Sequence, residues 1–542
     1  MNRIICFMAA TLALLAAVPA SPEGKSWWAH VQYLASDKLQ GRNAGSPGHK
    51  AAADYVAAQF KKAGLTPCGE NGTYLQSVPL VTKRLIEPES SLALTTGDGK
   101  IHQLVLGDDA MLSTRVELPD ALEAPVVFAG YGLTIPAEAG NRGYDDFAGL
   151  DVRGKVIVTI SGSPAHIPGP LRAHFSSAAE RAKILAATGA VGVMSVINPK
   201  TSDVPWDRSS AARLMPSMSI DDPDLSGTHA SSLGVSLNAA KVSWIFDGAP
   251  ESLGTLLEMA TTGKPLPHFP LNMTVRARAK MEKTRLASQN VCGLLPGATK
   301  PGESVVLSAH LDHLGTDPQA RGVDKIYNGA MDNASGIATL IETARLLTTA
   351  HAKPARTIAF VAVTAEEKGL LGSRYFANRT PAGVGTMVAD INFDMFLPIH
   401  VMKRVMAIGL EESSLRKPLE QVTARLGIGL QGDAEPQRNR FIRSDQYSFI
   451  QRGVPALALK VGYEPGSPEA DLQKQWTANR YHALSDDLSQ PVDLEAAALF
   501  NRVVRELAMA VADAPERPTW NDASFFRRFA APQHETVSGG RD

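Results

Sequence analysis

Apolar residues recur at three- and four-residue spacing in SWWAHVQYLAS and again in GSPGHKAAADYVAAQFKKAGL, which predicts two helices within residues 25–66. The tract between them, DKLQGRNAGSPG, is rich in turn formers and reads as a loop. From about residue 120 to 265 the texture changes. APVVFAGYGL and GKVIVTISGSP are short β-branched runs bounded by Gly and Pro, RAKILAATGA is helical, and VGVMSVIN is again a strand. From about residue 288 strands and helices alternate. NVCGLLP and SVVLSAH are extended, ASGIATLIETARLLTTA is helical, RTIAFVAVTA is extended, EEKGLLGSRYFANR is helical and MVADINFDMF is extended. Later, VPALALKVGY is a strand and LEAAALFNRVVRELAMAVAD a helix. Such alternation predicts a largely parallel sheet covered on both faces, with ligands bound beyond the carboxyl ends of its strands. The tail after Pro518 has no strong pattern and is expected to be weakly ordered.

The chain has 542 residues, too many for one ordinary core, so two or three domains are expected. With 44% hydrophobic and 20% charged residues it reads as globular. A net charge of −1 offers no basic field for nucleic acid. The opening MNRIICFMAATLALLAAVPAS has Arg3, an apolar run from Ile4 to Val18 and small residues ending at Ala20. That is a secretory signal pattern with cleavage expected after Ala20, and it predicts a secreted or periplasmic protein without stable membrane insertion. Cys68 and Cys292 then remain. Export permits a bridge, but spacing alone does not establish one, and the reading leans towards free, buried thiols.

Two adjacent glutamates, Glu366 and Glu367, end the buried run RTIAFVAVTAEE. Like charges at a strand end are costly unless something positive offsets them. Other strand ends carry similar residues. SVVLSAHLDH places His310 and Asp312, YNGAMDNASG places Asp332 before a helix, MVADINFDMF places Asp394, and WTANRYHALSDD supplies His482. Singly, each has an ordinary structural reading: a core histidine, a helix cap, a turn former or a surface residue. His313 and Asp317 keep that ordinary reading. Jointly, two histidines and several carboxylates are the ligand set of a hard-to-borderline cation, above all zinc.

The segments HLDH, GAMDNASG, TAEEKGLLGS, NFDM and RYHALSDD, in that order, resemble the successive motifs of dinuclear zinc exopeptidases of the bacterial leucyl aminopeptidase and glutamate carboxypeptidase II type. The resemblance implies an α/β three-layer sandwich with a mostly parallel mixed sheet. It implies two Zn2+ ions bridged by Asp332, with His310 and Asp394 on one and Glu367 and His482 on the other. Glu366 is then the general base of a metal-activated water, and Asp312 the acceptor that orients His310. Tyr481 is a candidate substrate contact. The resemblance further implies a cis peptide after Asp332. Gln446 stands where members often have His, a departure that touches substrate contacts more than metals.

GKVIVTISGSP, a helix and TGAVGVMSV resemble a protease-associated domain, a small β-rich module inserted in this family. The expected layout is a signal peptide over 1–20, a first peptidase part over 25–115 and the insertion over 116–267. The catalytic part follows over 268–515 and a tail over 516–542. The function expected is hydrolysis of peptides at chain ends, with aminopeptidase first. Arg438, Arg440 and Arg443 in QRNRFIRSDQYSF keep a carboxypeptidase alternative open, although loop arginines are ordinarily solvated. A metal-free receptor-like binding protein and a glutaminyl cyclase-like acyltransferase are rivals. The full set of ligand-type residues argues against the first, and the insertion with the two-metal set against the second. Substrate preference and oligomeric state are not readable from the sequence.

Overall fold

Residues 21–137, 142–202, 204–225, 232–318, 320 and 322–530 are described by the computed structural model. The expected signal segment 1–20 and the end of the tail, 531–542, lie outside the described residues.

Four parallel strands form the middle of the larger sheet, in the order Arg356–Val363, Lys300–His310, Thr386–Asn392 and Ala456–Val461. Every residue of Arg356–Val363 is buried, as a strand covered on both faces requires. Antiparallel strands extend the sheet on both sides: Met281–Leu295, Leu75–Leu85 and Ser217–Ile220 beyond Arg356–Val363, and Arg404–Ile408 beyond Ala456–Val461. The sheet is therefore mixed, with its parallel part at the centre. Helices Pro22–Leu34, Pro47–Ala63, Ser335–Thr349 and Leu494–Asp513 share one core cluster with the strands.

The helical reading of 25–66 matches helices Pro22–Leu34 and Pro47–Ala63. Each starts at a serine whose hydroxyl accepts an early backbone N–H, with Pro in the first turn. Trp27, Val31 and Leu34 then face the core, and Trp27 Nε1 donates to the Ser335 carbonyl at 3.0 Å. Among the described residues no helix is long and apolar enough to cross a membrane.

Between Leu75–Leu85 and Met281–Leu295 the chain builds a second, eight-stranded sheet. Its strands run from Ser91–Thr96 to His268–Arg278, so the boundaries expected near residues 115 and 267 move outwards. The physical reason is pairing: Ser91–Thr96 lies antiparallel to His268–Arg278, closing the unit where the chain enters and leaves it. The short run Ser91–Thr96 carries too few alternating residues to announce that partner from the sequence.

Two further expectations change. The tail is packed as far as residue 530: Trp520, Phe525 and Phe526 are buried in a cluster with Phe441 and Phe175. Cys68 and Cys292 are joined by a disulfide instead of remaining thiols, because Thr66–Pro67 pairs with Met281–Leu295 and brings their Cα atoms to 5.4 Å. The bridge links residues 224 positions apart. Replacing both cysteines by alanine is expected to cost about 2–4 kcal/mol of unfolding free energy, read from denaturant melts. An unchanged midpoint would show that the bridge contributes nothing.

Candidate metal centre

Parallel strands end at the same edge of a sheet, and here that edge gathers the polar residues. His310 closes Lys300–His310, Glu366 and Glu367 follow Arg356–Val363, and Asp394 follows Thr386–Asn392. Asp332 arrives from the turn before helix Ser335–Thr349, and His482 from the loop after helix Pro468–Asn479. The two oxygens of Asp332 face different neighbours. Oδ1 lies 3.2 Å from His310 Nε2, which is 3.3 Å from Asp394 Oδ1. Oδ2 lies 3.4 Å from His482 Nε2, which is 3.0 Å from Glu367 Oε2. One carboxylate thus stands between two histidine–carboxylate pairs.

The turn carrying Asp332 is shaped by its backbone. The Asp332–Asn333 peptide is cis, as the resemblance implies. Gly329 adopts φ 59°, and a Cβ there would lie 2.2 Å from the Asp332 carbonyl, so only glycine fits. Asn333 accepts from Gly336 N at 3.0 Å and donates to Phe393 O at 3.1 Å, tying the turn to the strand end that bears Asp394. The fully buried Asp486 accepts from Met331 N at 2.9 Å and Asp332 N at 3.0 Å. Asp486 lies within the motif RYHALSDD, four residues after His482, but no role was expected of it.

Arg42 lies beneath the same turn, fully buried. Its guanidinium donates to the carbonyls of Leu311 at 3.0 Å, Asn328 at 2.7 Å and Gly329 at 3.0 Å, and to that of Leu34. One side chain from the loop before helix Pro47–Ala63 therefore pins the backbone of both the HLDH and GAMDN segments. It reaches them because Gln40, Gly41 and Arg42 all have positive φ. A Cβ at Gly41 would lie 2.3 Å from the Gly315 carbonyl, so the loop passes against neighbouring backbone.

The adjacent glutamates diverge after Ala365, whose φ is 54°. Glu367 turns to His482 and to His313, whose Nδ1 lies 2.7 Å from its Oε1. Glu366 faces a cavity of about 330 Å³ lined also by Asp332, Asp394, Tyr481 and His482. The Tyr481 ring lies 3.9 Å from that of His482. His313, read from the sequence as an ordinary structural histidine, thus contacts the cluster, whereas Asp317 belongs to neither ligand group. The role expected of Asp312 also changes. His310 Nδ1 meets the backbone carbonyl of Asp312 at 3.1 Å, not its carboxylate. The carboxylate is engaged elsewhere, accepting from Glu366 N at 3.0 Å, and so sets the backbone that presents the glutamates.

Electrostatics separates the members. Burial raises Glu366 well above the usual carboxylate range, with Glu367 and Asp394 reinforcing it against the pull of His310. Burial also opposes ionisation of Glu367, but His482 and His313 hold it well below that range. Burial disfavours charge on His482, yet Glu367 and Asp332 lift it to about 10. Neighbouring identical side chains thus have opposite proton affinities. Two sets of donors, His310, Asp332 and Asp394, and His313, Asp332 and Glu367, each lie within 4.8 Å of one another. His482 reaches Asp332 and Glu367 as well, so either imidazole can complete the second set. Imidazole nitrogens and carboxylate oxygens converging on a shared aspartate fit borderline divalent cations.

Fold and site together define an α/β sandwich of the zinc exopeptidase fold. Residues 290–508 match the model of Peptidase family M28, which bears out the resemblance carried by the five motifs. A probable zinc metalloprotease of Pyrenophora teres f. teres (strain 0-1) is 29% identical over 239 residues, 42% of this chain and 50% of that protein. Leupeptin-inactivating enzyme 1 of Streptomyces exfoliatus is 28% identical over 177 residues, 31% of this chain and 39% of that protein. The chain spans about half the length, or less, of these two curated relatives. The solved aminopeptidase from Aneurinibacillus sp. strain AM-1 superposes with a TM-score of 0.54 at 18% identity, over 91% of this chain and 95% of that one, and supports the fold.

Replacing Arg42 by methionine strips the buried carbonyls it serves and is expected to cost about 3–5 kcal/mol. Denaturant melts read the loss. Hydrogen exchange should show the 328–331 turn opening first, and a stability within about 0.5 kcal/mol of the parent would refute the clamp.

Proposed function

We propose that the protein is an exported zinc metallopeptidase that removes residues from the amino end of peptides. The observation that carries this reading is the placement of Asp332 between two histidine–carboxylate pairs, beside a cavity that Glu366 faces. His310, Asp332 and Asp394 would hold one Zn2+, and Asp332, Glu367 and His482 the other, with His313 orienting Glu367. Bound zinc supplies Lewis acidity, polarising a carbonyl and making a nearby water acidic. Glu366 takes the proton of the attacking water and returns it to the leaving nitrogen. Its separation from Glu367, which turns to the two imidazoles, leaves its carboxylate available for that exchange. Asp312 supports it from behind by fixing the Glu366 backbone. Tyr481, which lines the same cavity, would hydrogen-bond the substrate. The inserted sheet is read as the protease-associated module. Export is supported by the leader pattern and by the disulfide, a bond that persists in oxidising compartments.

A carboxypeptidase reading has one observation in its favour: Arg438, Arg440 and Arg443 line the cavity instead of facing bulk solvent alone. A peptide with a free amine and amidated carboxyl end, set against one with an acetylated amine and free carboxyl end, decides between them. Cleavage of the first alone is expected.

Metal analysis of the purified protein should approach two zinc equivalents, and chelators should abolish turnover. Zinc at zero with activity intact would remove the metallopeptidase reading. Glu366→Gln is expected to lower kcat by about 10²–10⁴-fold while metal content holds. Glu367→Gln should instead weaken metal retention, and the reverse pattern would exchange the two roles.

A further inference from the structure

We propose that the inserted unit sets the strength of one metal position, the one formed by Glu367 and His482, through Arg208, a positioning residue that acts through the loop and not as a ligand. This deepens, and rests on, the reading of Asp332, Glu367 and His482 as ligands of the second Zn2+. His482 has no strand to place it. Its φ is 53°, a backbone conformation uncommon for any residue but glycine, so its neighbours have to hold it. They do so from both sides. Four residues later, Asp486 accepts from the Met331 and Asp332 amides. One residue earlier, the Tyr481 carbonyl accepts from Arg208 Nη1, while Arg208 Nη2 donates to the Ala478 carbonyl at 2.8 Å. These carbonyls lie at and just past the end of helix Pro468–Asn479, beyond the reach of its own N–H groups. The guanidinium supplies the donors that the helix lacks.

Arg208 is itself fixed within the insertion. Its helix, Trp206–Ala211, is tied to the Gly107 carbonyl by Trp206 Nε1 at 3.1 Å and by the Ser210 hydroxyl. Just beyond the helix, Arg213 makes a two-pronged pair with Glu87 at 2.7 and 3.1 Å. A second arginine of the insertion, Arg115, lies between strands Ala110–Leu112 and Ala121–Ala129, and its Nη2 approaches the Glu367 carbonyl at 3.4 Å. The insertion thus reaches the backbone at Glu367 and next to His482, the two ends of one metal position. The other position is built from the larger sheet. His310 closes a strand paired with Arg356–Val363. Phe393 N donates to the Ser308 carbonyl, and Lys460 donates to the Asp394 carbonyl at 2.6 Å. Loosening the grip of the insertion therefore weakens one metal and spares the other.

The test is a zinc competition titration between the purified protein and a chromogenic chelator, which resolves the two affinities. Wild type, Arg208→Met, Arg208→Lys and Arg276→Met are compared, the last removing an exposed arginine of the insertion that pairs with Glu123. Outer-shell partners of metal ligands typically carry about 10–100-fold in affinity, so Arg208→Met should weaken one zinc about tenfold and leave the other within about twofold. Arg208→Lys keeps the charge without the planar fork and should weaken the same zinc by less. That variant decides the question alone if Arg208→Met does not fold. Paired variants identify the position. In a Glu367→Gln background, Arg208→Met should leave the remaining zinc unchanged, and in an Asp394→Asn background it should weaken the remaining zinc by the same factor. Equal weakening of both zincs, weakening of neither, or the same effect from Arg276→Met overturns the proposal and leaves the two-zinc reading standing. Selective weakening in a protein that cleaves no peptide keeps the proposal and removes the peptidase reading. A wild type that binds no zinc removes both.

Discussion

Carboxylates confined to one sheet edge repel each other, and the arrangement of this molecule follows from that repulsion. Asp332, Asp394, Glu366 and Glu367 meet where water is largely displaced, so positive charge has to meet them there. The nearest source is the metal that imidazoles and carboxylates together would hold, with His310 between Asp332 and Asp394, and His482 and His313 on Glu367. Arg42 and Lys460 supply more from below and beside. The cations are not interchangeable. Imidazole nitrogens touch the carboxylate oxygens directly, whereas Arg42 and Lys460 spend their donors on backbone carbonyls. Their charge acts at a distance while their hydrogen bonds set geometry. The first group can bind metal with the carboxylates, and the second keeps the cluster assembled.

The same division explains why the amino-terminal segment belongs to the site. Arg42 is contributed by a loop more than two hundred residues before the segments it holds, and its bonds reach both HLDH and GAMDN. A lysine there would offer three donors on a flexible stem instead of a planar fork and could not span the same carbonyls. Helices Pro22–Leu34 and Pro47–Ala63, on either side, bury Trp27, Val31, Val56 and Phe60 in the main core, which anchors the loop. Packing of the first helices is thereby linked to the register of the metal-type ligands.

Much of this was legible in the sequence because parallel strands translate chain order into position. RTIAFVAVTAEE and SVVLSAHLDH each run apolar and then turn polar, and neighbouring parallel strands must bring those ends together. His482 was legible only through the motif RYHALSDD, since its loop has no strand to place it. What escaped notice depends on contacts distant in sequence. His313 looked structural because nothing in HLDH distinguishes which histidine faces Glu367. Asp486 is an ordinary acid until its oxygens are seen on the Asp332 and Met331 amides. The cysteines pair only because a two-residue strand at Thr66–Pro67 finds Met281–Leu295. The arginines of QRNRFIRSDQYSF looked solvated because loop sequence carries no period from which a side chain's direction can be read.

The inserted sheet is joined to this centre by particular bonds, which bears on why it sits where it does. Its helix Trp206–Ala211 carries Arg208, whose guanidinium donates to the carbonyl of Ala478 at 2.8 Å and to that of Tyr481. Those carbonyls lie at and just past the carboxyl end of helix Pro468–Asn479, where unpaired acceptors and the negative end of the helix dipole favour a cation. The next residue is His482, held at φ 53° with its ring against Tyr481. His174, from the same insertion, bonds the Tyr447 hydroxyl at 2.9 Å, on helix Gln446–Ile450. The loop that brings the last histidine to the cluster is thus held by the insertion, through Arg208, and by the Asp332 turn, through Asp486. Arg208 and the two carbonyls it meets thereby connect the insertion to the residue just before His482.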